Sequence, residues 1–282
     1  MQRFGVTLTR AFGLRLRLAP IRILATLLLA ALAFSCVPLS GADKKAMNMG
    51  NTRTPVLIEL FTSEGCSSCP PADALLEKLD ESQPVSAVEL IVLSEHVDYW
   101  NYIGWKDPYS SSEFSDRQRD YSGRFGRGSV YTTQMVVDGH LELVGSDEQR
   151  AILAIESAAK VQKISVALSS IHRQANGTIA LHVEVRPLRP NSRESGNVLI
   201  AIADDSDESH VTHGENAGRT LKHVAVLRSL IPVGTVDGAR EFSRDVTVND
   251  SKRNSRNLRI VAIVQEMAGG RVWGVASARL SN

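Results

Sequence analysis

The sequence predicts two folds in tandem: an α/β unit over residues 55–163, then an all-β, sandwich-like unit over 164–282. Three observations predict this. Between 55 and 160, apolar runs of strand length alternate with stretches whose apolar residues recur at helical spacing. After about 163 the helical spacing stops, and about seven strand-like runs follow between Gly, Asn, Asp and Pro turns. The composition, 43% hydrophobic and 22% charged, suits packed domains rather than a disordered chain.

Residues 1–42 read as an export leader. They hold five arginines and no acid, and the arginines precede ILATLLLAALAF (23–34), which is too short to span a membrane comfortably. Small residues at Ser40 and Ala42 place the cleavage after Ala42. An uncleaved anchor and a lipidated Cys36 are the alternatives. The expected product is secreted or periplasmic and has no membrane span. Removing the leader leaves 27 basic and 31 acidic side chains, a net charge of −4, so there is no electrostatic case for nucleic-acid binding.

Residues 43–54 are polar and read as a flexible lead-in. PVLIELF (55–61) reads as a buried strand. A helix opens at Pro70, with Ala72, Leu75, Leu76 and Leu79 on one stripe, and Pro84 ends the segment. AVELIVLS (87–94) is a second strand. Residues 99–121 contain seven of the fifteen aromatic residues, which marks an insertion, and a helix is expected from Ser111 or Ser112 to about Phe125. SVYTTQMVVDG (129–139) and LELVG (141–145) read as a hairpin turning at Asp138-Gly139. Residues 146–160 read as a helix capped by Ser146. In the second half, 204–216 (DDSDESHVTHGEN) is expected to be a solvated acidic loop.

Chemistry concentrates in TSEGCSSCPPAD (62–73). Without the leader, Cys66 and Cys69 are the only cysteines. Two intervening residues let both sulfurs meet in a tight turn. A helix N-terminus beside them favours the thiolate, the reactive form. Cys66 is then the exposed nucleophile, and Cys69 resolves the mixed disulfide from inside. Pro70 suits the first helical position but disfavours helical geometry in Cys69 before it. Two other chemistries fit the pair: a structural disulfide, weak because the loop is so short, and a metal site.

Residues 55–160 resemble a thioredoxin-fold domain, with VLIELFTSEGCSSCP on its strand and redox turn and FGRGSVYTTQMVVDGHLELVG on its final loop and hairpin. TSEGCSSCPPAD, HVDYWNYIGWKDP, YTTQMVVDG and HGENAGRTL together resemble a family of secreted bacterial thioredoxin-like proteins, domain of unknown function 1223, over about 54–280. The resemblance implies an α/β thioredoxin-like domain with an aromatic-rich insertion, followed by an all-β sandwich-like domain. It also implies a loop that faces the cysteines, here Tyr131, Thr132 and Thr133. The family has proline where this chain has Thr133. A cis bond there costs about 3 kcal/mol more than one before proline, so a trans bond is expected.

The family carries no established activity; the thioredoxin-like resemblance and the cysteine pair imply thiol–disulfide exchange with a protein partner. Cys66 and Cys69 are catalytic in this reading, and Tyr131, Thr132, Thr133, Trp100 and Trp105 contact the partner. His96 and Asp98 support the thiols. The partners are a protein thiol or disulfide and an upstream redox protein, and no cofactor is required. The alternatives are a copper or zinc site on Cys66, Cys69 and His96, and an interaction protein with an inert disulfide. The 204–216 loop has no recognisable ligand spacing.

Overall fold

The computed structural model describes residues 53–186, 195–237, 240–249, 257–267 and 269–281. The expected leader and nearly all of the lead-in lie outside them. The local elements follow the sequence closely. Strand β1 spans Thr54–Thr62, helix α1 Pro70–Ser82, and β2 Val88–His96. A 3-10 turn at Asn101–Ile103 lies in the aromatic insertion, and α2 runs from Ser112 to Arg124. Then come β3 (Gln134–Val137), β4 (Leu141–Val144) and α3 (Glu148–Ala158). The rest is strand: β5 (Ser165–Arg173), β6 (Thr178–Arg186), β7 (Gly196–His210), β8 (Thr220–Val236), β9 (Phe242–Asn249), β10 (Asn257–Glu266) and β11 (Val272–Ser281).

Assembly of these elements departs from expectation. The fold is mostly β, and it is not a thioredoxin-like α/β domain followed by a separate sandwich. Eight strands form one mixed sheet in the order β11-β10-β7-β8-β2-β1-β3-β4. Strands from both sides of residue 163 therefore share one hydrogen-bonded layer. The join is a parallel pairing of β2 with β8 at Ser94 and Val226. An isolated α/β unit would leave β2 as an exposed edge, and β8 covers that edge. Only β5, β6 and β9 form a second sheet.

Strand alternation sends successive side chains to opposite faces. Ile58, Leu60, Leu90 and Val92 pack with Leu75, Leu76 and Leu79 of α1 and Ile155 of α3. Leu57, Ile91 and Leu93 face the other way, with Phe114 of α2. Farther along the sheet, Val198, Ile200, Ile202 and Ile260 pack on Ile179, Leu181 and Val183 of the small sheet. Leu199, Ala201 and Ala203 join the α2 side. Both faces of β7 are therefore covered, which explains its unbroken apolar run.

Two local expectations also change. Asp147, not Ser146, caps α3, with its side chain accepting from Arg150 N. Residues 204–210 are not a loop, because β7 continues to His210 against β8. Three of their four acids are paired: Asp204 and Asp207 with Arg228, and Asp205 with Arg259 and Arg279.

On the α2 face, Arg117 donates from Nε to Glu59 (2.7 Å), and Tyr121 OH donates to the same carboxylate (2.6 Å). Glu95, fully buried nearby, has its pKa pushed well above the usual carboxylate range by burial and then by Glu59. An acid with a raised folded pKa destabilises the fold as pH climbs above its unfolded value of about 4.5. Glu95→Gln removes that titration. Its stability relative to wild type, measured by urea unfolding, should therefore rise between pH 5 and pH 8; an unchanged difference would contradict the assignment.

Candidate functional site

Strand β1 ends at Thr62, and residues 63–69 turn tightly into α1. Cys66 N donates to Ser63 O (3.2 Å) and Cys69 N to Cys66 O (3.1 Å). Cys66 and Cys69 are joined as a disulfide, with Cα atoms 5.4 Å apart. Helix α1 starts at Pro70 as expected, but Cys69, its cap residue, takes a helical conformation (φ −80°, ψ −38°) despite the following proline. Ala72 N and Asp73 N both donate to Cys69 O, which ties the residue into the first turn.

Both cysteines are fully buried, which corrects the expectation of an exposed Cys66. The cover comes from the connection between β7 and β8. Asn216 Nδ2 donates to Glu64 O (2.8 Å) and Cys66 O (3.0 Å), and Ser67 N donates to Glu215 Oε2 (2.9 Å). Ser67 and Ser68 are the exposed residues of the turn. Trp100 presses from the other side: a Cβ on Gly65 would lie 3.2 Å from Trp100 Cβ and from its carbonyl oxygen. A side chain at 65 would therefore push Trp100 back by a few tenths of an ångström.

Behind the turn lies a buried cluster of acids and histidines. Glu64, Asp73, His96, Asp107 and His223 are all at most 7% exposed. His96 Nδ1 bonds Asp107 Oδ2 (2.7 Å), and the same oxygen accepts from Glu64 N (2.9 Å). Glu64 accepts from Trp105 Nε1 (2.7 Å), receives the Ser209 hydroxyl and contacts His223 Nε2 (3.2 Å). The rings of His96 and His223 meet edge to face with centroids 4.6 Å apart. His223 Nδ1 stands 4.0 Å from Asp73 Oδ2. Thr62 Oγ1, Asp73 Oδ1, His96 Nε2 and His223 Nδ1 are buried and make no hydrogen bond. The Thr62 hydroxyl favours the Asp73 carboxylate, less than His223 and His96 do.

Burial shapes the electrostatics of this cluster. It pushes Asp73 above its ordinary value, against the opposing pull of His223 and His96. Burial pulls His96 down, but Asp107, with Asp73 and Glu64, outweighs it and holds the imidazolium above its ordinary value. Burial pushes Asp107 up; His96 and the N–H groups of Glu64 and Tyr109 outweigh it and lower the carboxyl.

The residues singled out from sequence are only partly brought together. His96 is in the cluster, but Asp107 orients it rather than Asp98. Asp98 Oδ1 accepts from Ser115 Oγ (2.6 Å), whose oxygen accepts in turn from Asp98 N, a local clasp between β2 and α2. Trp105 reaches the cluster through Glu64. Trp100 links the cysteine turn to the 131–133 loop, donating to Thr132 Oγ1 (2.9 Å). The Thr132–Thr133 peptide is cis, not trans. That loop is held by Gly145 N on Thr133 O (3.0 Å) and Gln118 Nε2 on Tyr131 O (2.7 Å). Tyr131 is engaged by Arg127 and Glu142. Among the described residues no group of three His, Cys, Asp or Glu side chains is arranged to hold a metal ion. The disulfide also takes up both thiols that the Cys66–Cys69–His96 site would need.

Sequence reasoning missed Glu64, Asp73, Asp107, Asn216 and His223. Asp73 carried a signal: four residues after Cys69, it is an acid beside the apolar stripe of α1. His223 carried another, a histidine opening the apolar run of β8. Asp107 and Asn216 stand in the family-like motifs HVDYWNYIGWKDP and HGENAGRTL, but nothing in the sequence gave them a role, because each acts from an irregular segment that folds back.

These features define a mostly-β protein with one large mixed sheet and a buried disulfide set over a carboxylate–histidine cluster. The chain belongs to the family described as Protein of unknown function (DUF1223), which matches residues 57–265. No curated protein matches it. Its fold is similar to the crystal structure of an Agrobacterium tumefaciens protein, with a TM-score of 0.62 and 23% identity over 82% of this chain and 96% of that one. A β-glucosidase from Kluyveromyces marxianus aligns at a TM-score of 0.24 and 11% identity, over 58% of this chain and 17% of the enzyme. That likeness is too low to transfer anything.

The His96–Asp107 pair has a pH signature. A raised histidine stabilises below its unfolded value of about 6.5 and loses that contribution as pH rises through its folded value. A lowered aspartate stabilises above about 3.8 and loses its contribution as pH falls through its folded value. The pair therefore contributes most between about pH 4 and 6.5. Asp107→Asn should cost about 3 kcal/mol there, and less at pH 8.5, in denaturant melts. A cost independent of pH would remove the ion pair from the account.

Proposed function

We propose that this protein carries out thiol–disulfide exchange with a protein partner in an export compartment. The supporting observation is the disulfide at the start of α1, formed by the only two cysteines beyond residue 42 and backed by five buried ionisable side chains. A partner thiolate attacks Cys66 Sγ. The S–S bond breaks, and its electron pair goes to Cys69 Sγ. A second partner thiolate then attacks the partner sulfur and releases Cys66. The partner leaves as a disulfide, and the Cys66–Cys69 pair is left as a dithiol. A disulfide-bearing upstream protein reoxidises it by the reverse steps. The arginine-led apolar segment at 15–34 supports export, and among the described residues no helix is long and apolar enough to cross a membrane.

Access to Cys66 requires the β7–β8 connection to part from the turn. Asn216→Ala removes two hydrogen bonds to that turn. It should speed reduction of the native disulfide by dithiothreitol severalfold, as read by thiol trapping. A slower or unchanged rate would deny the connection a covering role.

A second reading, an interaction protein with an inert disulfide, draws on the complete burial of both cysteines. A glutathione titration of the native protein separates the two. Exchange predicts a reversible two-electron transition that Cys66→Ser abolishes; a potential above about −230 mV marks an oxidant or isomerase, and one well below marks a reductant. Resistance to reduction until the fold is denatured would favour the inert disulfide.

A further inference from the structure

We propose that Asp73 is the proton donor to Cys69 when the disulfide opens. The inference rests on the exchange reading above and names a further residue of that site. Three observations carry it.

The first is helix geometry. Cys69 and Asp73 are four residues apart, and Asp73 N donates to Cys69 O (3.1 Å), so the two belong to consecutive turns of α1. Side chains at this spacing share a face, and a helical side chain leans over the turn that precedes it. Asp73 therefore leans towards Cys69.

The second is the chemistry of the leaving sulfur. Cys69 is fully buried, and a thiolate left there without a proton or a cation is costly. The described ionisable groups packed around Asp73 are His223 on β8, His96 on β2, Asp107 in the insertion and Glu64 in the turn. Asp107 is engaged by His96, and Glu64 by Trp105, Ser209 and His223.

The third is the unused capacity of Asp73. Its Oδ1 makes no hydrogen bond although the residue is only 7% exposed. Burial favours its protonated form, so it holds a proton to higher pH than an exposed aspartate does. When Cys66 Sγ is attacked, the electron pair arrives on Cys69 Sγ and the proton passes from the Asp73 carboxyl to that sulfur. The resulting carboxylate is left facing His223 and His96. Solvent returns a proton to Asp73 before the next cycle, replacing the one the partner thiol released on ionising.

The test is the rate of reduction of the native protein by dithiothreitol between pH 5 and pH 9, expressed per thiolate. In wild type this rate should fall as pH rises and Asp73 ionises. Asp73→Asn should flatten the profile and lower the rate at its acid end by about a hundredfold. His223→Asn removes a group that favours the Asp73 carboxylate and should move the inflection to higher pH. This second variant decides the matter if Asp73→Asn does not fold: an inflection unmoved by it overturns the proposal. Coincident wild-type and Asp73→Asn profiles overturn the role of Asp73 and leave exchange standing. A wild-type disulfide that no native condition reduces overturns both.

Discussion

The parallel contact between β2 and β8 is the constraint on which the rest of the structure depends. At Ser94 and Val226 it joins strands separated by more than a hundred residues into one sheet. It closes the edge that β2 would otherwise expose. It also builds the site, because His223 on β8 arrives against His96 on β2 only through this contact. The same connection between β7 and β8 then lays Glu215 and Asn216 over the cysteine turn. The sheet, the cluster and the cover on Cys66 thus share one origin in tertiary pairing.

Strand alternation divides the polar interior into two sets. Glu95 and His96 are neighbours in sequence, so their side chains leave opposite faces of β2. Glu95 joins Glu59, Arg117 and Tyr121 under α2. His96 joins Asp107, Glu64 and His223 behind the disulfide. The α2 set is built around one arginine that ties its groups together, as a buried charge requires. Both sets include buried polar atoms that make no hydrogen bond: the two carboxyl oxygens of Glu95 in the first, and atoms on Thr62, Asp73, His96 and His223 in the second. What separates them is the cation, an arginine under α2 and histidines behind the disulfide.

The elements were legible in the sequence because they are set locally. The apolar stripe of α1, the proline at its start and the Asp138-Gly139 turn stand where expected, and the seven runs of the second half are seven strands. Partnership was not legible. Periodicity marks β8 as a strand but says nothing of its pairing with β2. The acids at 204–210 read as a solvated loop because the arginines that pair with three of them, Arg228, Arg259 and Arg279, lie far along the chain. The same limit governed the site. Cys66, Cys69 and His96 sit on or beside predictable elements. Asp107 and Asn216 act from irregular segments whose paths depend on what they pack against.

The energetics also bear on whether the disulfide is inert. A ring closed by so few residues adds only about 2 kcal/mol through chain entropy. Burying five ionisable side chains works in the opposite direction, since each loses water that its partners only partly replace. A crosslink serving stability alone needs no such cluster, and an apolar interior behind the turn would stabilise the fold more. On the exchange reading, the cluster is what supplies a proton to a sulfur that is buried in the closed structure.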